Sequence, residues 1–286
     1  MKKGFTLIEL IAVIVILAIV MAVSYPKMLS VIEKSKISAF DTAKKNIISA
    51  AKNKYIASVN DSKVIEYSVV DLIEDGYVSS NTKNPITGKD YEKEVKVVVV
   101  NEDNTVKFYY VNGNTMYDVI KREDKAANEN DDYIFKGNSE NNYISFNEDI
   151  YRIIKVDSYG YTYIIKDISD NNIQKKDINT YLGYNINDEI KESYIKYIEN
   201  NEGILTKSLY EITTENSNSY LLKNKNTWLK DNDDYKILSV DTGEILDASD
   251  NDYASVKNVL KLKNIFVVEK GDGSRFNPYA IKILNY

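Results

Sequence analysis

The chain of 286 residues contains no cysteine and no histidine. The missing cysteines exclude disulfide bonds, zinc–thiolate centres and cysteine nucleophiles. The missing histidines remove the side chain that most often acts as a general base and as a transition-metal ligand. A basic surplus is also lacking, because 37 Lys and Arg face 43 Asp and Glu and give a formal charge of −6. Nucleic-acid-binding proteins normally carry a basic stripe, so we expect no nucleic-acid partner.

The overall composition is typical of a folded protein. Apolar residues make up 43% of the chain and charged residues 28%, which is a globular rather than a disordered balance. A chain of this length more often forms two domains than one. We expect no enzyme and no cofactor, because no spacing among the acidic residues selects a catalytic pair. Residues 271–274 lack the glycine spacing and the lysine of a phosphate loop.

The N-terminus is dominated by one apolar segment. Every residue from Leu10 to Val23 is apolar, and the apolar run also extends to the other side of Glu9, over residues 5–8. About twenty residues of helix span a hydrocarbon core of about 30 Å. Lys2 and Lys3 precede the segment, so the N-terminus should remain on the cytoplasmic side. We predict a transmembrane or fibre-core helix over residues 5–25.

Two ordinary explanations of this segment account for it poorly. A secretory signal peptide carries a small-residue cleavage site after its apolar core, but here Ser24 and Tyr25 follow, and no A-x-A pattern is present. A plain signal anchor leaves Glu9 unexplained. A carboxylate inside an apolar segment costs about 2.5–3.5 kcal/mol on insertion scales, so Glu9 predicts a partner or a function.

The segment resembles the N-terminus of type IV pilins and of the pseudopilins of type II secretion. That family has a short basic leader ending in glycine, then a phenylalanine, and a glutamate as the fifth residue of the mature chain. In this sequence those residues are Gly4, Phe5 and Glu9. Pro26 stands where such pilins commonly carry a helix-kinking proline.

The resemblance implies a processing step and a set of partners. In that family a membrane prepilin peptidase cuts after the glycine and methylates the new amino terminus, here between Gly4 and Phe5. The implied partners are other pilin subunits through the N-terminal helix, the prepilin peptidase and the pilus assembly machinery. The precursor would cross the cytoplasmic membrane once, and the assembled protein would lie in an extracellular pilus or at the cell surface.

Glu9 then has a role in assembly. When subunits stack in a fibre, its carboxylate would neutralise the amine of Phe5 of a neighbour inside a low-dielectric helical bundle. Such a pair sets the register, because a misplaced subunit leaves a buried charge unpaired.

The helical pattern continues beyond Pro26. Phe40, Ile47 and Ala51 belong to an apolar stripe whose members recur at spacings of three and four residues. The prolyl residue lacks an amide hydrogen and should kink the helix rather than end it. We predict one helix from about Phe5 to Val59.

A hairpin follows this helix. Residues 95–100 and 106–111 are rich in β-branched and aromatic side chains and flank the turn-forming residues 101–104. A long helix, a short element and an antiparallel hairpin match the order of elements in pilin globular heads.

The second half of the chain is more than a simple pilin contains. Residues 126–132 are polar and read as a linker. Beyond them, residues 150–156 and 161–165 predict another hairpin, and Trp228 is expected in a core. The predicted fold is α+β: a long N-terminal helix packed on an antiparallel sheet, followed by a second α+β lobe. The predicted segments are a leader (1–4), a membrane or fibre-core helix (5–25), an amphipathic helix and first head (26–125), a linker (126–132) and a second lobe (133–286).

Two stretches of the second lobe, residues 142–157 and 271–281, are similar to a recurrent module in surface proteins of Gram-positive bacteria. A chain with two lobes also resembles the two-lobed pilins of such bacteria. The acidic runs Asp231–Asp234 and Asp247–Asp252 contain oxygen ligands that calcium prefers. The second run departs from the EF-hand template, so we interpret both as solvated loops and predict no metal site.

The function predicted from these observations is that of a structural subunit of a type IV pilus. The doubled head indicates a minor or specialised subunit whose outward second lobe serves adhesion or partner recognition, with a host cell or matrix ligand. One alternative is a pseudopilin of a secretion or DNA-uptake machine, which has the same N-terminus. Another is a surface-anchored hydrolase, which the absence of histidine and of a nucleophile motif disfavours.

Overall fold

The computed structural model describes residues 7–58, 64–102, 105–169, 171–183, 190–216, 218–222, 225–264 and 266–282. The side chains at 8, 9, 22–26, 29, 30, 64 and 102 are outside this description. The described part of the chain contains both helices and strands, so the fold is α+β, as the sequence predicts.

The helices are few, and only the first is long. They are α1 (Leu7–Ala57), α2 (Val69–Glu74), α3 (Met116–Glu123), α4 (Ile178–Gly183), α5 (Glu192–Ile195) and α6 (Lys207–Thr213), with a 3-10 turn at Lys175–Asp177. The strands are β1 (Val64–Ser68), β2 (Val95–Glu102), β3 (Thr105–Asn112), β4 (Ala127–Glu129), β5 (Asp132–Ile134), β6 (Tyr143–Phe146), β7 (Asp149–Val156), β8 (Thr162–Lys166), β9 (Ile173–Gln174), β10 (Ile198–Ile204), β11 (Thr227–Asp231), β12 (Asp234–Leu238), β13 (Ile245–Leu246), β14 (Tyr253–Ala254), β15 (Asn258–Leu262), β16 (Val267–Lys270) and β17 (Tyr279–Lys282).

The contacts divide the chain into two compact units. Unit 1 comprises Met1–Ser58 and Val69–Lys93, and unit 2 comprises Val59–Ser68 and Glu94–Tyr286. The sequence instead placed a boundary at the polar segment 126–132. The first sheet therefore belongs to the same unit as the residues that follow it.

Unit 1 consists of α1, α2 and the loop that follows α2. The predicted apolar stripe of α1 is confirmed, because Phe40, Ile47 and Ala51 are buried. Lys54, in the last turn of α1, forms an ion pair with Asp75 just beyond α2. The second half of α1 is thus an amphipathic helix with one buried face.

Unit 2 is built from antiparallel sheets. The strands β1, β2 and β3 form one sheet in that order. The largest sheet has the order β10-β15-β8-β7-β6-β17-β16, and β5 adds to β7 and pairs with β4. The pair β6–β17 is parallel, whereas the other pairs between the strands named above are antiparallel. Smaller sheets are formed by β11-β12-β13 and by β9 with β14.

The segment predicted as a linker is a β-hairpin in the structure. Strands β4 and β5 pair from Ala127–Ile134 to Glu129–Asp132. The two residues between them, Asn130 and Asp131, have positive φ angles of 53° and 69°. That combination is the type I′ turn that joins two strands most tightly, and Asn and Asp are among the residues that adopt it. The polar residues of this segment therefore form a tight turn rather than a flexible linker.

A small apolar cluster joins the first sheet to the largest sheet of unit 2. It contains Val98 and Val100 of β2, Val111 of β3, Tyr161 just before β8 and Val267 of β16. An ion pair between Lys107 and Glu199, 2.9 Å long, connects the same two sheets at the level of β3 and β10. These contacts explain why residues on both sides of the predicted linker fold together.

Other predictions of local structure had mixed outcomes. The hairpins β2–β3 and β7–β8 are confirmed, and Trp228 is fully buried in a cluster with Ile204 and Ile237. The helical spacing of Ile190, Tyr194 and Ile198 also predicts a helix over residues 188–198. Within the described part of that range this prediction is wrong in extent, since α5 has only four residues and Ile198 begins β10. The tight β11–β12 hairpin was not predicted, because its turn was interpreted as part of an acidic loop.

Candidate functional site

The N-terminal helix carries the residues that the sequence singled out for assembly. The helix α1 is continuous over 51 residues, which corresponds to about 77 Å at 1.5 Å per residue. The backbone of Glu9 and that of Pro26 both lie within it. The predicted continuation of the helix past Pro26 is therefore confirmed. The side chains of Glu9 and Pro26, and the processing residues Gly4 and Phe5, lie outside the part that the structure describes.

The first half of α1 exposes apolar side chains on all its sides. Each residue from Leu10 to Met21 is exposed, and the large side chains among them are 48–67% exposed. A helix that is apolar all round is stable only when something buries it. Within the residues that the structure describes, no helix combines the length and the hydropathy needed to cross a membrane.

Unit 2 contains a buried arginine at the centre of a polar cluster. The side chain of Arg152, on β7, is 1% exposed. Its Nε donates to Asn142 Oδ1 at 2.6 Å, its Nη1 to the Tyr143 hydroxyl at 2.7 Å, and its Nη2 to the Ser139 carbonyl at 2.5 Å. The carboxylate of Asp167 lies 3.6 Å from Nη1.

Two aromatic rings complete the surroundings of this guanidinium. The ring of Tyr143 has its centroid 3.9 Å from Arg152 Cζ, and the ring of Tyr220 lies at 4.6 Å. Burial lowers the pKa of Arg152, and the neighbouring tyrosines and Asp167 oppose that shift. The planar guanidinium is thus satisfied on its edge and on its faces, which fits a structural role.

The two stretches that resemble a Gram-positive surface module meet at this cluster. Strand β6, in the first stretch, pairs in parallel with β17, in the second. The amide of Tyr143 donates to the Gly273 carbonyl at 2.7 Å, and Arg275 Nη2 lies 3.9 Å from the same Asp167 carboxylate. Residues 142–157 and 271–281 therefore form one continuous structural feature although more than a hundred residues separate them in the chain.

Carboxylates of the two acidic runs form ion pairs with lysines. Asp231–Asp234 is the turn of the β11–β12 hairpin. Asp231 accepts from Lys207 at 3.2 Å, and Asp234 accepts from Lys175 at 2.8 Å. Lys236 bridges Asp234 and Asp247. No three Asp or Glu residues in the described part of the chain lie together as a metal ligand set.

The sequence pattern gave only a weak signal for the buried cluster. A lone arginine in the apolar run of residues 150–156 was the available sign, because a charge inside a buried strand needs partners. The hydrogen-bonding partners come from the neighbouring strand β6 and the loop before it, and Asp167 follows β8. Only Tyr220 comes from much farther along the chain, and one sequence does not identify these partners.

The comparisons with known proteins bear on the N-terminus. No curated protein matches the chain, and no solved structure matches it. Residues 1–25 match the family described as the prokaryotic N-terminal methylation motif. Gly4, Phe5 and Glu9 all lie within the matched range. The N-terminal segment of this chain is therefore the prepilin cleavage and methylation signal that type IV pilins and pseudopilins share.

Proposed function

We propose that the chain is a structural subunit of a type IV pilus, and a minor or specialised one. The observation that carries the proposal is the prepilin signal at residues 1–25, followed directly by the long helix α1. The signal fits a precursor anchored in the membrane that later becomes part of a surface pilus. The proposed role is structural, as is usual for proteins with this signal.

The exposed apolar half of α1 supports a role in a fibre. Its side chains from Leu10 to Met21 require burial. Neighbouring copies of such helices bury one another when subunits stack, and lipid does so before assembly. The prepilin peptidase and the pilus assembly machinery are the partners that this route requires.

Glu9 sets the register in this proposal. Its carboxylate pairs with the methylated amine of Phe5 of the neighbouring subunit, and the processing cut between Gly4 and Phe5 creates that amine. A carboxylate without a partner in an apolar bundle would carry a large desolvation cost. Pro26 bends the helix between its apolar half and its amphipathic half.

Recognition is assigned to residues 133–286. A pilin head needs far fewer residues than unit 2 contains, and loops are where binding residues concentrate. Phe276, in the loop between β16 and β17, is 98% exposed, and an exposed aromatic side chain is a frequent binding hot spot. The proposed ligand is a component of a host cell or of its matrix.

A pseudopilin of a secretion or DNA-uptake machine is the second candidate, because the matched signal occurs in both classes. Immunogold labelling of sheared surface fibres separates the two. Labelling along or at the tip of long fibres supports the pilus subunit. Labelling confined to the cell envelope, with unlabelled fibres, would favour the pseudopilin.

A further inference from the structure

The helix α1 contains a stretch in which every described side chain is exposed. It covers residues 27–39, of which the side chains at 29 and 30 are outside the description. Burial begins at the next residue, Phe40, which is 4% exposed. Unlike the apolar residues before it, the 27–39 segment mixes apolar side chains with three lysines and one glutamate. It therefore forms a part of α1 with its own surface chemistry.

The apolar side chains of the 27–39 segment form a stripe along one side of the helix. At about 100° per residue, Met28, Val31 and Ile32 lie within about 100° of one another. Their side chains are 62%, 65% and 41% exposed. The small residues Ser35 and Ala39 lie within the same range of angles and extend the stripe. A stripe of this width is typical of a helix that lies against another apolar surface.

This stripe is not part of the face that α1 buries in unit 1. That face contains Phe40, Ile47 and Ala51, and its centre is about a third of a turn away from the centre of the stripe. Packing within unit 1 therefore does not account for the exposed stripe. A surface outside the described chain is needed to cover it.

Lysines lie at both borders of the stripe. By the same count of angles, Lys27 lies about 40° beyond one border, with Lys34 next to it, and Lys36 lies about 40° beyond the other border. Glu33 is on the opposite side of the helix. None of the three lysines forms an ion pair with a described residue. An apolar stripe between lysines, whose stems can lie along it, is typical of helices at a membrane interface.

Distances along the helix bring the 27–39 segment to the membrane surface in the precursor. Glu9 interrupts the apolar run, and its carboxylate is least costly at the cytoplasmic edge of the hydrocarbon. From that edge, about twenty helical residues, 10–29, span the hydrocarbon core of about 30 Å. Lys34 and Lys36 then lie about 8 and 11 Å beyond residue 29. That places them within about one Debye length of the headgroups.

We propose that the 27–39 segment of the membrane-anchored precursor binds anionic lipid headgroups on the outer side of the membrane. The ammonium groups of Lys27, Lys34 and Lys36 pair with lipid phosphates, and the apolar stripe packs at the boundary between headgroups and acyl chains. Three lysines against one glutamate give the segment a charge of +2, in a chain whose formal charge is −6. The inference rests on the proposed membrane anchoring and adds a ligand for this part of α1.

A second copy of the chain is the other possible occupant of the stripe. The observations favour lipid before assembly, because the 27–39 segment directly follows the membrane-embedded part of the same helix. The headgroups are therefore present at a high effective concentration, whereas a second copy has to be recruited.

The test uses the full chain in nanodiscs that contain phosphatidylcholine and phosphatidylglycerol. The chain has no cysteine, so Ser35→Cys places one fluorescent label on the stripe. Ser49→Cys places the same label at an exposed position of α1 about 21 Å farther along the helix. A small fraction of one lipid or the other carries a nitroxide quencher near its headgroup. We expect phosphatidylglycerol to quench the label at 35 about threefold more than phosphatidylcholine does, and neither lipid to quench the label at 49.

Charge variants assign this preference to the lysines. Lys27→Gln, Lys34→Gln and Lys36→Gln combined should bring the ratio of quenching by the two lipids to about one. Arginine at the same three positions keeps the charges and should keep the preference. Lys45→Gln, at an exposed position about 24 Å beyond residue 29, should leave the ratio unchanged.

Different failures separate this proposal from the membrane anchoring on which it rests. A chain that the nanodiscs retain, but whose label at 35 is quenched equally by both lipids, would overturn the lipid site alone. An unchanged ratio in the glutamine variant would do the same. A label at 35 that neither lipid quenches, with energy transfer to the label of a second copy, would show that protein covers the stripe. A chain that the nanodiscs do not retain would contradict the membrane anchoring as well.

Discussion

Arg152 is a buried residue of strand β7, and most of the residues around it in the strand are apolar. Its guanidinium is nevertheless matched by Asn142, Tyr143 and the Ser139 carbonyl, with Asp167 nearby. A buried charge in such a network is strongly destabilising when one partner is removed, because the others are left without compensation. The stability of unit 2 should therefore depend on this one side chain.

The first prediction is that Arg152→Ala lowers the free energy of unfolding by about 3–5 kcal/mol. Arg275→Ala is the matched control: its side chain is 59% exposed and it approaches the same carboxylate at 3.9 Å. Removing that exposed partner should change stability by less than about 1 kcal/mol. Denaturant unfolding of both variants measures the difference, and equal losses would contradict the account of the cluster.

Asp157, in the turn between β7 and β8, should make stability depend on pH. Burial raises its pKa to about 6, although the amides of Tyr159 and Tyr161 donate to its Oδ1 and lysines lie nearby. The folded state therefore binds a proton more readily than the unfolded state does. The stabilisation is present below about pH 4 and is lost as the pH rises through about 6.

The second prediction follows from that sign. Between about pH 4 and pH 6 the free energy of unfolding should fall by up to about 3 kcal/mol because of Asp157. Asp157→Asn retains an oxygen that accepts the two amides and should lack this component. Unfolding curves of the two proteins across that pH range give the difference directly. Parallel pH profiles would show that Asp157 is not the titrating group.

At the scale of secondary-structure elements, the sequence predicted those hairpins whose strand and turn signals lie close together in the chain. The hairpins β2–β3 and β7–β8 were found because strand alternation and turn residues lie within a few positions of each other. The β4–β5 hairpin was missed because its strands have only three residues each. Its polar turn has two residues with positive φ angles. By composition alone, such a turn cannot be told from a linker.

Contacts between sheets also could not be predicted from the sequence. Gly113, directly after β3, has φ +134°, and a Cβ at this position would lie 2.5 Å from Val267 Cγ1. Val267 is buried and β-branched, so it has little freedom to move away. This close approach is part of the junction between the first sheet and β16, and a glycine alone in a sequence does not reveal its neighbour.

The third prediction tests this junction. Gly113→Ala should destabilise the protein by about 2–4 kcal/mol, because backbone strain and a steric clash add. Gly203 also has a positive φ, of +80°, but nothing lies within 4 Å of a Cβ added there, so Gly203→Ala should cost about 1–2 kcal/mol. Thermal unfolding compares the two. Equal effects would mean that the contact with Val267 is not tight.

The fourth prediction concerns Glu9 in α1. Glu9→Ala should insert into the membrane as well as the parent chain or better, because a carboxylate is removed from an apolar segment. Incorporation into fibres should nevertheless fall, because the Phe5 amine of the neighbour loses its partner. Glu33→Ala, at an exposed position of the same helix, is the control. Normal incorporation of the Glu9 variant, measured in sheared fibres of a strain without other copies, would refute the pairing.

At the scale of the whole molecule, the structure changes how recognition should be tested. Removing residues 133–286 would leave Val98, Val100 and Val111 without the side chains of Tyr161 and Val267 that cover them. Loss of binding after such a truncation would then report misfolding as much as a missing ligand site. Point substitutions at exposed positions such as Phe276 keep the fold and separate recognition from assembly.

The central claim is that residues 1–25 form a working prepilin signal, and the mass of the mature protein tests it most directly. The full chain is expressed in its native host, and the N-terminal peptide from membrane and fibre fractions is analysed by mass spectrometry. We expect a mature chain that begins at Phe5 and carries one added methyl group on its amine. A mature chain that begins at Met1, or one cut after Ser24, would contradict the account.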